Sequence, residues 1–380
     1  VSASVDVAVV GCGIIGAAAA WRLSQRGLTV TCFDPAPGDG ATHAAAGMLA
    51  DVTEAEFGED RLTALNVASA RAWPDFAAEL SSATGADLAF RRTGTLTVAY
   101  DSGDRQQLRR LLSLRRDLGL PIEEITVDDA RGLEPLLGPR IAGATWTPDE
   151  HQVDPRRVHA ALLAVLADLG VAVVRRRVTE LQLTPSGTVN GVVDETGERH
   201  PAGSVLLAAG WASRELTGVP TRPVKGQLLR LDASGQPGFT LSRVVRGFVQ
   251  ARSVYLVPRA DGEVVVGATS EEQPDDRQVT AGGTFAVLRD ARALVPGIDE
   301  LPVTELTARA RPGSPDNLPL IGDSGIPGLV LATGHYRNGI LLAPLTASVL
   351  AARYGAGTVP EWATAADPSR FAATVTGGPT

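Results

Sequence analysis

Apolar and polar positions change period repeatedly along this chain, and each change marks an element. Residues 5–10 (VDVAVV) form a short run rich in β-branched side chains, the pattern of a strand buried in a parallel sheet. Three glycines follow directly, and residues 17–26 carry helical spacing that stops at Gly27. Residues 28–33 read as a second buried strand, with Asp34 at its C-terminal tip. Helical periodicity returns at 59–82 through Leu62, Leu65, Ala68 and Trp73, and again at 102–118. Between them, residues 88–100 alternate as strands around Gly94. A helix at 153–169 has Asp154 as its N-cap and Pro155 at the first helical position. Strand patterns follow at 171–178, 181–183, 188–193 and 204–209, the last ending in Ala208-Ala209-Gly210.

From residue 222 the pattern shifts to short alternating strands at 225–231, 241–249, 254–258 and 263–269, with turns at 234–238 and 261–262. Such a series predicts an antiparallel sheet forming the wall of a second lobe. A helix at 280–294, strands at 303–311 and 329–333, a glycine-flanked turn at 334–339 and a final helix at 340–354 complete the chain. The fold class is therefore α/β with an α+β second lobe: a Rossmann-type dinucleotide-binding domain joined to an antiparallel-sheet substrate domain. The dinucleotide lobe is expected to be discontinuous, about 1–50, 151–221 and 312–380, and the substrate lobe to take about 51–150 and 222–311.

Gly11, Gly13 and Gly16 have the G-x-G-x-x-G spacing between a strand and a helix, and Asp34 lies about 20 residues on. The glycines allow a tight turn, close approach to a pyrophosphate and close helix packing; Ile14 and Ile15 lie in that turn, and the N-terminus of the helix that follows points free N–H groups back at it. A carboxylate at Asp34 accepts from a ribose diol and disfavours a 2′-phosphate, which leaves NAD and FAD open. The segment 35–50 adds Pro35, a turn at Gly38 and Gly40, possible phosphate donors in Thr42 and His43, and small residues around Ala46, Gly47 and Met48, with a helix expected from Ala44. Val178 and Gly210 complete the wall expected beside the dinucleotide. The second glycine-bounded junction, some three hundred residues later, points to one long ligand held at both ends.

Composition narrows the classes. The 380 residues are 44% hydrophobic and 21% charged, the balance of a globular enzyme with more than one core. A net charge of −8, with no basic block beyond Arg175–Arg177, argues against nucleic acid or an anionic membrane as partner. Those arginines read as a solvated strand end. No apolar stretch approaches the ~20 residues of a membrane span. The opening residues carry no basic region or cleavage signature, so we expect no export signal and a cytoplasmic location. Cys12 and Cys32, the only cysteines, read as small buried residues and not as a disulfide. Five scattered histidines without C-x-x-C or H-E-x-x-H give no support for a metal site.

Six segments together resemble the glycine oxidases of the flavin-dependent D-amino-acid oxidase and sarcosine oxidase superfamily: VVGCGIIGAAAAWRLSQRG, ATHAAAGMLA, PVKGQLLRL, VYLVPRADGEVVVGAT, RPGSPDNLPLIG and ATGHYRNGILLAP. They span nearly the whole chain in the family's order. The resemblance implies FAD, oxidation of glycine, sarcosine or small D-amino acids with oxygen to 2-oxo acid, ammonia and hydrogen peroxide, often in service of thiamine's thiazole, and a tendency to homo-oligomers. It implies that Arg311 anchors the substrate carboxylate, that Tyr255 lines the same pocket, and that Arg337 lies near substrate and flavin. His335, Arg337, Asn338, Gly339, Ile340 and Leu341 would face the isoalloxazine, with the last helix beginning there. Ser270 stands where these oxidases often have methionine near the substrate, and His43 where serine is common. No cysteine near the last helix offers a tether, so FAD is expected to be noncovalent. A dehydrogenase of the same fold using another electron acceptor, a noncatalytic FAD-binding protein and an NAD enzyme are the alternatives.

Overall fold

The computed structural model describes residues 4–273, 275–355 and 361–371. Its first sheet has eight strands, and the central path runs Leu320–Asp323, Leu329–Thr333, Arg199–Leu207, Val5–Val10, Val30–Phe33, Ala172–Val174. Val5–Val10 sits between two parallel neighbours, with Val7 opposite both Ser204 and Val30. A strand so placed has both faces covered, which is why its sequence is apolar throughout. Val7 and Val9 join the helices Ile14–Gln25, Asp60–Thr84, Pro155–Asp168 and Ala343–Tyr354 in one core. Ala8 and Val10 point the other way, into a second core with Val178, Val189 and Val192 of the antiparallel strands Val178–Leu183 and Val189–Asp194.

The second sheet, also eight-stranded, runs Val303–Gly313, Arg222–Asp232, Glu263–Gly267, Arg252–Pro258, Val244–Val249, Thr95–Ala99, Gly143–Thr147, Glu123–Ile125. Its pairs are antiparallel except one: Thr95–Ala99 lies parallel to Val244–Val249. These two strands arrive from distant parts of the chain, so no hairpin constrains their direction. Leu96, Val98, Val245, Leu256 and Val266 pack with Leu294 of the helix Ala281–Leu294. That helix is capped by Thr280, whose side chain accepts the Gly283 N–H at 3.1 Å.

Several expected elements shift. The last helix starts at Ala343, not 340, and residues 334–342 form successive turns. The helix expected from Ala44 is instead one turn at Ala41–Ala44, and Met48–Leu49 then pairs with His151–Gln152 as a small sheet. The run at 171–178 splits, because Ala172–Val174 joins Val30–Phe33 whereas Val178–Leu183 joins the antiparallel strands. The helix Asp60–Thr84 packs into the core of the first sheet, although the residues that follow it join the second. The final expected segment, 372–380, lies outside the described residues. No helix among the described residues is long and apolar enough to cross a membrane.

Candidate active site

A cavity of about 920 Å³ lies between the two sheets, running from the first glycine turn to Tyr255 and Arg311. Its floor is the turn after Val5–Val10. Gly11 has φ +94°, and a side chain there would meet the Ala208 carbonyl at 2.5 Å, so only glycine lets the two strand ends approach. Neighbouring side chains pin the turn. Cys12 N–H donates to Asp34 Oδ2 at 2.7 Å, and Ala36 N–H to Asp34 Oδ1 at 2.9 Å. Ile14 N–H donates to Thr42 Oγ1 at 3.1 Å, and His159 Nε2 lies 2.8 Å from the Cys12 carbonyl oxygen. Asp34 thus shapes the loop as well as facing the cavity. Cys12 and Cys32 are buried and free.

The opposite wall is the turn 334–342. Tyr336 N–H donates to the Pro312 carbonyl at 2.8 Å, which ties this turn to the strand carrying Arg311. Ser69 Oγ and Trp73 Nε1, one helical turn apart, both donate to the Leu341 carbonyl, at 2.6 and 2.8 Å. His335 Nε2 lies 3.0 Å from Thr346 Oγ1, and burial holds its pKa down at about 3, so the ring is neutral at physiological pH. The N–H groups of Gly339, Ile340 and Leu341 donate to no protein acceptor among the described residues. Unpaired N–H groups on a cavity wall are costly unless a ligand or water accepts from them. The glycine turn suits a pyrophosphate and this turn suits the polar edge of a flavin ring, so the cavity's residues fit FAD.

Arg311 and Tyr255 occupy the remaining end. Arg311 is half-buried, and Nη1 donates to the Thr269 carbonyl at 3.2 Å. It makes no ion pair among the described residues. Room for its guanidinium comes from Gly226 on the neighbouring strand, where a side chain would sit 2.5 Å from Nη1. Burial raises the Tyr255 phenol pKa, so it remains protonated and can donate, with Arg311 the nearest opposing influence. Arg337 differs, because its Nε lies 3.4 Å from Glu54 Oε2. Glu54 also pairs with Arg246 at 2.5 Å. Burial alone would raise the Glu54 carboxyl, but Arg246 and then Arg337 outweigh it and hold it at about 2.

Of the residues singled out in the sequence, Gly11, Gly13, Ile14, Ile15, Asp34, Pro35, Thr42, Ala46, Gly47, Met48, Val178, Gly210, Tyr255, Arg311, His335, Arg337, Asn338, Gly339, Ile340 and Leu341 line this one cavity. Gly16 lies inside the first helix, packed against the Gly11 carbonyl. Besides Gly16, two more do not line the cavity. His43 turns to Arg156 and Glu305, its Nε2 2.9 Å from Arg156 Nη2, and burial with that guanidinium lowers its pKa. Ser270 is exposed, just beyond the end of the strand Glu263–Gly267. The arginine run at 175–177 is split: Arg176 pairs with Asp194 at 2.9 Å and Glu198 at 2.6 Å, whereas Arg177 lines the cavity. Asp194, Glu198 and His200 bring possible ligand atoms within 4.8 Å of one another, but Arg176 already pairs with both carboxylates. Sequence reasoning missed Glu54, Arg277 and Arg309, all on the cavity wall, and Arg246 behind them.

Residues 6–353 match the family described as FAD dependent oxidoreductase. The chain is 35% identical over 91% of its length to the bifunctional protein ThiO/ThiG of Trichormus variabilis, and it spans about half of that relative, 52%. It is 34% identical to the glycine oxidase of Geobacillus kaustophilus, over 91% of this chain and 92% of that one. The crystal structure of glycine oxidase from Geobacillus kaustophilus superposes with a TM-score of 0.87, at 31% identity, covering 97% of this chain and 99% of that one.

Proposed function

This chain belongs to the family of FAD-dependent oxidoreductases, and on that premise we propose that it oxidises glycine or a closely related small amino acid. The observation that carries the reading is Arg311: a half-buried guanidinium on the wall of the FAD cavity, without a carboxylate partner among the described residues. A planar, permanently charged fork so placed matches a substrate carboxylate. Likeness to a glycine oxidase over most of both chains supports the same substrate class.

FAD held in this cavity would supply a two-electron acceptor for hydride from the substrate α-carbon, with oxygen as the final acceptor and hydrogen peroxide as the product. Arg311 holds the carboxylate, and Tyr255 adds a neutral O–H donor beside it. The half-buried cation favours the carboxylate end and disfavours an ammonium, so the amine binds neutral and no side-chain base is required. The unpaired N–H groups of Gly339, Ile340 and Leu341 would stabilise negative charge on the flavin held against this turn. Neutral His335 and the Ser69–Trp73 pair on Leu341 fix that turn. The imine product hydrolyses to the 2-oxo acid and ammonia. Arg337 steadies the site through Glu54 instead of gripping substrate. We assign the two sheets to FAD and substrate lobes, with the helix Asp60–Thr84 on the FAD side. We also propose a cytoplasmic setting, noncovalent FAD and service to thiazole synthesis, the last in keeping with a 33%-identical relative named as a thiamine biosynthesis oxidoreductase.

The test is peroxide formation and oxygen uptake by the yellow purified protein with glycine, N-methylglycine and D-alanine. Turnover with at least one supports the assignment. Anaerobic bleaching by glycine with reduced flavin persisting in air would favour the dehydrogenase, and no bleaching by any of the three would overturn the proposal.

A further inference from the structure

Five arginines line the cavity among the described residues. Arg311 and Arg337 stand at the substrate end, and Arg177 immediately precedes the strand Val178–Leu183. Arg309 and Arg277 remain, and both reach one residue. Arg309 donates from Nε to the Asp39 carbonyl and from Nη2 to Asp39 Oδ1, each at 2.7 Å, while Arg277 Nη1 lies 2.6 Å from Oδ2. Asp39 is three residues before Thr42, whose hydroxyl takes the Ile14 N–H, so this loop lies directly against the glycine turn.

Both arginines belong to the second lobe, and both are held in place. Arg309 is on the strand Val303–Gly313, opposite Gly226, with its side chain 15% exposed. Arg277 follows Asp276, which the buried Lys225 anchors at 2.5 Å. Arg277 Nε also lies 3.9 Å from Asp275 Oδ2, so two guanidiniums and two carboxylates balance beside a helix N-terminus worth about half a charge. A pyrophosphate arriving there brings two negative charges and meets Asp39, a third anion, unless the arginines compensate it. Of the four N-terminal donors a helix offers, Ile14 N–H is already committed to Thr42, so the glycine turn alone has one donor fewer for a phosphate.

We infer that Arg309 and Arg277 are counter-cations for the FAD pyrophosphate, supplied across the lobe boundary, and that Asp39 competes with the pyrophosphate for them. The same ions then link the cofactor to the second lobe. This goes beyond the proposed reaction and does not depend on which amine is oxidised.

The test is the FAD dissociation constant of the apoprotein, read by quenching of flavin fluorescence from low to high salt. Arg309→Gln should raise it about 10- to 100-fold, the range for losing a charge-assisted hydrogen bond, and flatten the salt dependence. Arg309→Lys should fall between, and Arg277→Gln should do less because Arg277 is half exposed. Asp39→Asn separates the pyrophosphate role from a simple latch. An unchanged or lower constant in that variant supports the inference, since a competing anion has gone. If Asp39→Asn raises the constant as Arg309→Gln does, or if Arg309→Gln leaves it unchanged, the inference is overturned. Circular dichroism of each apoprotein checks that it is folded, and Arg309→Lys keeps the test decisive should Arg309→Gln not fold.

Discussion

Arg311 and Arg337 face the same cavity, yet their charges are in opposite states. Arg337 is compensated by Glu54, which Arg246 holds from the other side, whereas Arg311 has only a backbone carbonyl. A compensated guanidinium has little left to gain from a carboxylate ligand. An uncompensated one, partly withdrawn from water, has spent desolvation free energy that a bound carboxylate restores. Two residues of the same type, each followed by a turn in an R-P-G or R-N-G segment, are thus separated in role by what already touches them.

Breaking the unpaired side should give the largest effect. Arg311→Met is expected to weaken binding of a small carboxylate by about 2–5 kcal/mol, seen as a raised glycine KM or a raised dissociation constant for glycolate. Breaking the paired side should cost the fold more than the ligand. Glu54→Gln leaves two guanidiniums uncompensated and should lower stability by about 3 kcal/mol in denaturant titrations. The sign with pH follows from its lowered pKa. Glu54 stabilises the fold above its unfolded value near 4.5, and this contribution is lost as pH falls towards about 2, because the unfolded chain takes up the proton first. The acid limb of the stability profile should therefore be shallower in Glu54→Gln. Glu305, likewise held at about 2 by Arg156, retains its share of that limb.

Smaller changes sharpen the contrast. Gly226→Ala should displace the Arg311 guanidinium, at a cost of about 1–3 kcal/mol for overpacking, and raise glycine KM without touching Glu54. Tyr255→Phe removes one neutral donor and should cost about 1 kcal/mol of substrate binding. Arg337→Gln is the matched control. Its effect on glycolate affinity should stay below that of Arg311→Met, and an equal loss would erase the distinction between the two arginines.

What the chain reveals before folding follows the range of its contacts. The glycine turn, the first helix and Asp34 lie within thirty residues, and strand, turn and helix each leave a local mark. Asp154 and Thr280 likewise announce their helices as caps. Glu54 and Arg246 leave none, because an ordinary acid and an ordinary base become a pair only when the 191 intervening positions are folded away. Trp73 reads as one more apolar face position, although its indole N–H supports the turn at Leu341 from 268 residues off. Arg309 was within reach. Residues two apart on a strand share a face, so a cavity position for Arg311 already implied one for Arg309. The shift of the last helix to Ala343 has a similar cause: the glycine-bounded junction was visible, but its length depends on Tyr336 bonding to Pro312 in the other lobe.

The central claim is that an unpaired Arg311 grips a carboxylate beside bound FAD. Titrating the oxidised holoenzyme with glycolate, and following the flavin absorbance spectrum, tests it without requiring turnover. The account predicts a saturable spectral change in the wild-type protein that Arg311→Met abolishes and Arg337→Gln largely keeps. The same change at the same glycolate concentration in Arg311→Met would contradict it.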